Sequence, residues 1–170
     1  MHPWQQHLDQ LRAGFKPPGL ADADTLKHIS GLEFLRRMIR GEIPTAPISQ
    51  TLDFYLIEAD PGRAVFQGRP THAHYNPIAT VHGGYHATLL DSAMGCAVQT
   101  LCEAGRAYTT LEFKIHCVRP LTELTGPVRA EGKVISSGRR MATAEGRLVD
   151  SEGRLYSHGT TTCMLFDLQS

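Results

Sequence analysis

A histidine and two glycines, His82-Gly83-Gly84, open the most apolar stretch of the chain, and an aspartate, Asp91, stands nine residues after that histidine. The first amides of a helix have no partner within the helix, and glycine lets an acceptor approach the backbone closely. A helix that begins at this glycine pair therefore offers a site for negative charge on a carbonyl oxygen. Asp91 is surrounded in sequence by Ala87, Leu89, Leu90, Ala93, Met94, Ala97, Val98 and Leu101. An ionised carboxylate in such company is costly without a purpose. A buried acid beside an electrophilic helix start points to hydrolysis at a carbonyl.

The elements around this stretch follow from periodicity and breakers. Residues 4 to 14 read as a short helix, broken by Lys16-Pro17-Pro18-Gly19. A second helix is expected from Asp22 or Asp24 to Gly41, interrupted at Ser30-Gly31, where Ser30 and Glu33 have the spacing of a fresh N-terminal cap. Pro44 and Pro47 are expected to end helical structure, and the apolar period then shortens towards two. Residues 50 to 58 read as a strand, 59 to 63 as a turn, and 64 to 68 as the second strand of a hairpin. After the helix that starts at Gly83 and ends near Glu103 to Gly105, four extended segments follow, at about 107–118, 127–136, 139–150 and 154–167. They are expected to form a four-strand antiparallel meander. The fold class is α+β: an antiparallel sheet wrapped around one long central helix. Residues 1–47 form an N-terminal helical extension and 48–170 the main domain.

Composition narrows the function. Seventeen basic residues balance seventeen acidic ones in 170 residues, so no long-range field draws the protein to nucleic acid or to an anionic membrane. The opening residues lack the pattern of a secretory signal, and no apolar run is long enough to span a bilayer, so a cytoplasmic protein is expected. Cys96, Cys102, Cys117 and Cys163 form no Cys-x-x-Cys pair and read as small core residues. His72, His74, His82 and His86 invite a metal site, and His82 and His86 are four apart, but Gly83 stands where a metalloprotease helix has its glutamate, and no metal is expected.

The ordered set Asn76, His82-Gly83-Gly84, Asp91, Thr109-Thr110-Leu-Glu-Phe-Lys-Ile, Arg119-Pro120 and Ser137-Gly138-Arg139-Arg140 resembles the hotdog-fold acyl-CoA thioesterases of the phenylacetic-acid-degradation (PaaI-like) type. The resemblance runs from about Leu52 to Phe166 and leaves the helical extension without a role. It implies hydrolysis of an acyl-CoA thioester, with coenzyme A as part of the substrate and no separate cofactor. It also implies a homodimer, commonly a dimer of dimers, in which His82 and Gly83 of one subunit face Asp91 and Thr110 of the other. In that reading the Gly83 amide stabilises the oxyanion and Asp91 activates water or attacks directly. Thr110 holds the water, with Thr109 competing for the role, and Asn76 and His82 shape the carbonyl pocket. Gly84, Arg119, Arg139 and Arg140 are the candidates for holding the coenzyme A portion.

Two other readings use the same fold. Asn76-Pro77-Ile78 is similar to the Asp-x-Asn-Pro-x-His signature of hotdog hydratases, but His74 and Ala79 occupy the positions of its acid and histidine. A non-catalytic acyl-CoA binding or sensing module would use the same pocket, and Asp91 argues against it. The small residues Ala87, Ala93, Gly95 and Ala97 on the central helix either leave room for an acyl group or admit close strand packing.

Overall fold

A computed structural model describes residues 3–22 and 24–168 of the chain. Four helices come first: α1 (Pro3–Gly14), α2 (Thr25–His28), α3 (Gly31–Ile39) and α4 (Pro47–Leu52). Strands β1 (Phe54–Asp60) and β2 (Arg63–Gly68) form a hairpin, followed by the long helix α5 (Gly83–Gln99). Strands β3 (Arg106–Cys117), β4 (Val128–Ser137), β5 (Met141–Asp150) and β6 (Leu155–Asp167) complete the chain.

All six strands lie in one antiparallel sheet of order β1-β2-β4-β5-β6-β3. The sheet packs against α5, whose Leu89, Leu90, Ala93, Met94 and Ala97 are fully buried in a core shared with Phe54, Leu56, Phe66, Ala130, Ala144 and Leu148. Each large side chain buried there contributes about 1.5–3 kcal/mol. This is the hotdog arrangement. The expected four-strand meander is corrected in one respect: β4, β5 and β6 are consecutive neighbours, but β3 pairs with β6 at the far edge and not with β4. Alternation of side chains reports burial on two faces, not which strand lies alongside, so the crossover from β3 to β4 left no mark on the pattern.

The start of the first strand also moves. Pro47 begins helix α4 rather than ending helical structure, because a proline at the first helical position loses no hydrogen bond and already has helical φ. Asp53 then turns the chain in a left-handed conformation, φ 51°, and the strand begins at Phe54. The interruption at Ser30-Gly31 is present as expected: Ser30 caps α3 by accepting from the Glu33 amide at 3.3 Å. Helix α5 ends at Gln99, a turn earlier than the sequence suggests.

The helical extension is packed onto the sheet. Gln67, fully buried on β2, donates to the Trp4 carbonyl at 2.7 Å and accepts from Arg129 Nε at 2.8 Å. The Arg129 guanidinium stacks over the Trp4 ring at 4.1 Å. Phe66, the neighbour of Gln67, belongs to the core beneath α5, so α1 covers the opposite face of the sheet. On the α5 side, the Gly31 amide donates to the Cys102 carbonyl at 2.9 Å, and the Gly105 amide to the Leu26 carbonyl at 2.8 Å. These bonds fix α2 and α3 beside the C-terminal half of α5.

Candidate functional site

His82 is the N-cap of α5, and its Nδ1 accepts from the Gly84 amide at 2.8 Å. An accepting Nδ1 carries no proton, so the neutral ring holds its hydrogen on Nε2, and the residue is exposed. The Tyr85 amide donates to the His82 carbonyl at 3.0 Å. Of the first three amides of α5, the Gly83 amide alone has no acceptor among the described residues. Gly84, expected to contact substrate, has its own amide engaged by His82.

Asn76 holds the loop that delivers His82. Its Oδ1 accepts from the Ile78 amide at 3.0 Å and from the Thr80 amide at 3.2 Å, and its Nδ2 donates to Thr80 Oγ1 at 2.8 Å. That clamp secures Ala79 at φ 63°, a region a residue with a β-carbon seldom enters. The His82 amide in turn donates to the His74 carbonyl at 2.8 Å, and the His74 ring stacks on Tyr85 at 4.7 Å. In the sequence His74 stands out as one of four neighbouring histidines and as a departure from the hydratase signature. Its supporting role comes from folding back across eight residues of loop and has no local sequence signal.

Asp91 is half-buried on α5 and accepts from Thr110 Oγ1 at 3.0 Å. Thr109, the competitor for that role, is exposed. Burial pushes the Asp91 carboxyl above its ordinary range, and the Thr110 bond pulls it partly back. Asp91 has no ion-pair partner among the described residues. A structural carboxylate buried for stability would be paired.

Gly83 and Asp91 lie eight residues apart on one helix, about 12 Å along its axis. A single carbonyl in contact with the Gly83 amide is therefore out of reach of the Asp91 of the same chain. Gly84, Thr88, Asp91 and Ser92 form a stripe along α5 that is exposed or half-exposed, while α3 covers the helix further on. Beside that stripe, edge strand β3 exposes Leu111 (54%) and Phe113 (44%) along an unpaired row of backbone groups.

The three arginines separate. Arg119 shares a depression of about 260 Å³ with Gly83, and its guanidinium lies 5.7 Å from the Tyr156 ring. Arg139 and Arg140 line a second depression with Arg106, where the Leu165 amide donates to the Arg140 carbonyl. Arg119 bonds the Leu155 carbonyl at the opposite end of β6, ten residues and about 30 Å from Leu165. His86 turns into the sheet, where Nδ1 meets Ser157 Oγ at 3.1 Å, so His82 and His86 serve separate partners. Cys102 and Cys163 are buried as expected, Cys96 is half-buried, and Cys117 is exposed. Among the described residues, no helix is long and apolar enough to cross a membrane.

The family comparison meets this geometry. The sequence model of the thioesterase superfamily matches residues 79–157, from the Asn76-clamped loop through α5 to the start of β6. A Saccharolobus solfataricus protein whose name proposes an esterase is 30% identical over 108 residues, covering 64% of this chain and 75% of that protein. The chain belongs to the thioesterase superfamily. Human acyl-coenzyme A thioesterase 13 is 28% identical over 109 residues, 63% of this chain and 76% of that protein. The crystal structure of a phenylacetic acid degradation-related protein from Ralstonia eutropha JMP134 superposes with a TM-score of 0.70 at 28% identity, covering 77% of this chain and 98% of that one. The superfamily match leaves α1 to α4 and the first hairpin outside it.

Proposed function

We propose that this protein hydrolyses acyl-coenzyme A thioesters at a site shared between two copies of the chain. The observation that carries the reading is the Thr110–Asp91 pair: an unpaired, half-buried carboxylate, raised in pKa by burial and oriented by a hydroxyl. The names of the superfamily and of human acyl-coenzyme A thioesterase 13 supply the substrate class. The distance between Gly83 and Asp91 along α5 supports two copies, as does the open edge of β3 with its exposed Leu111 and Phe113.

In this reading the thioester carbonyl oxygen meets the Gly83 amide of one copy, at the positive end of α5, with Nε2–H of His82 nearby. Asp91 of the other copy takes a proton from water held by Thr110, and the water oxygen bonds to the carbonyl carbon. Collapse of the tetrahedral intermediate breaks the carbon–sulfur bond, and the coenzyme A sulfur receives the proton from Asp91. Direct attack by Asp91 on the carbonyl carbon would break the carbon–sulfur bond, expel the coenzyme A thiolate and leave an anhydride, which water opens to the free acid and the Asp91 carboxylate; the same residues serve it. Arg119, beside Gly83, is placed to meet the coenzyme A portion, with Arg139 and Arg140 as further cations and Gly84 as a backbone approach.

The test is thiol release from butyryl-, octanoyl-, dodecanoyl- and phenylacetyl-CoA by wild type beside Asp91→Asn. Release that falls about 10²- to 10⁴-fold in the variant supports the reading. Saturable binding of acyl-CoA with no release by folded wild type would replace it with a binding module.

A further inference from the structure

We infer that the segment α2–α3, outside the superfamily match, builds the acyl pocket of the proposed thioester site, and that Phe34 and Met38 set which acyl groups enter. The inference rests on the thioesterase reading above. A cavity of about 480 Å³ lies between α3, the C-terminal half of α5 and β3. Leu26, Phe34, Leu35 and Met38 form one wall, facing Cys96 and Tyr108. At one end of this apolar lining stands Thr110, whose hydroxyl donates to Asp91. An acyl group whose carbonyl is held at Asp91 therefore has this cavity beside it.

The wall is held in place. The Gly31 amide bonds the Cys102 carbonyl, and a β-carbon on Gly31 would lie 1.9 Å from the Gln99 carbonyl oxygen, so α3 sits against α5 as closely as backbone allows. Leu35, 2% exposed, anchors the middle of α3 in the core. Phe34 and Met38 are only partly buried and pack against that core from the cavity side. By contrast, the small residues of α5 serve close packing. Gly95 lies against Tyr108, and the Ala93 carbonyl lies against Gly132. The central helix and β3 therefore border the cavity on one side, and the extension supplies four of its ten lining residues.

Size selects the ligand. The β3 side of the cavity, the four residues from Ala107 to Thr110, is about 10 Å long. The volume is about three times the roughly 150 Å³ that admits one benzene ring in an engineered protein cavity. These dimensions fit an acyl group of about eight carbons, either an alkyl chain or an aryl-acetyl group. A short acyl group leaves the apolar wall unused, and a long one must displace Phe34 or Met38.

Two variants test this with butyryl-, octanoyl- and dodecanoyl-CoA. Met38→Trp fills the cavity and should lower the octanoyl-to-butyryl ratio of kcat/KM about tenfold. Phe34→Ala enlarges it and should raise the dodecanoyl-to-octanoyl ratio about tenfold. Circular-dichroism melting establishes that each variant is folded, and if Met38→Trp is not, Phe34→Ala decides alone. Ratios within about twofold of wild type, in a wild type that does release coenzyme A, overturn the pocket and leave the thioesterase reading intact. No release by wild type from any member of the panel removes both.

Discussion

Thr110 Oγ1 donates to Asp91 Oδ1 at 3.0 Å and so ties the edge strand β3 to the central helix α5. The bond falls where β3 carries an irregularity: Thr110 pairs with Cys163 and Glu112 with Thr162, which leaves Leu111 as an extra residue. Such bulges re-aim a side chain at a site. The other carboxylate oxygen, Asp91 Oδ2, has no hydrogen-bond partner among the described residues, which leaves it open for the proton transfer proposed above.

Thr110→Val keeps the shape of the side chain and removes the donor, so Asp91 loses its orientation. The expected result is a loss of kcat of up to about 10²-fold with little change in KM. Thr109→Val keeps the shape of a cavity-lining neighbour that has no bond to Asp91, and should leave kcat within about twofold. Equal losses in the two variants would mean that strand integrity matters and the Asp91 bond does not.

The pH dependence has a definite sign. In the proposed mechanism Asp91 works ionised; burial raises its pKa, and the Thr110 bond to the charged form lowers it. The acid limb of kcat/KM should therefore lie above the ordinary aspartate range and move to still higher pH in Thr110→Val. Because the folded state favours the protonated carboxyl, the stability Asp91 contributes is present at low pH and falls as pH rises through its raised pKa. Asp91→Asn should thus melt at or above the wild-type temperature near pH 7 while losing activity. A limb that stays in place in Thr110→Val would show that another group titrates.

The sequence was most legible where one residue carries a local rule. Ser30 with Glu33 announces the cap of α3, and Asp60-Pro61-Gly62 announces a turn, with Gly62 at φ 74°. The spacing of Gly83 and Asp91 on a single apolar helix was legible in the same way, and it contains the separation that keeps the two apart in one chain. What stayed hidden depends on contacts between distant segments. Nothing local tells that β3 joins β6, that His74 supports His82, or that Phe34 and Met38 face Thr110 across a cavity. Arg119, before Pro120, and Arg139 and Arg140, after Ser137-Gly138, share one expected role in the sequence, and only the run of β6 separates them.

His86, 2% exposed and bonded to Ser157, is held neutral by burial, which pushes its pKa down to about 4. In the unfolded chain an ordinary histidine takes up its proton near pH 6.5. The stability it contributes is complete above that pH and is lost as pH falls from about 6.5 to about 4, by up to about 3 kcal/mol. Urea midpoints across this window should fall with pH in wild type and fall less in His86→Gln. Parallel curves would mean that other groups carry the acid sensitivity.

The approach of β3 to α5 that permits the Thr110–Asp91 bond depends on Gly95. A β-carbon there would lie 2.3 Å from Tyr108 Oη and 2.6 Å from its ring, against a side chain that is itself packed in the core. Gly95→Ala must push Tyr108 outward, and Thr110, two residues along the same strand, moves with it. Overpacking of this kind costs about 1–3 kcal/mol, a melting temperature lower by about 2–10 °C. The loss of kcat should resemble that of Thr110→Val, since both variants separate the hydroxyl from Asp91. Adding Tyr108→Leu should restore part of the lost stability, so the double variant melts above the temperature that the two single changes predict when summed. Additive melting temperatures would mean that Gly95 and Tyr108 do not constrain each other, and a Gly95→Ala enzyme with normal kcat would mean that the seating of β3 on α5 is not what brings Thr110 to Asp91.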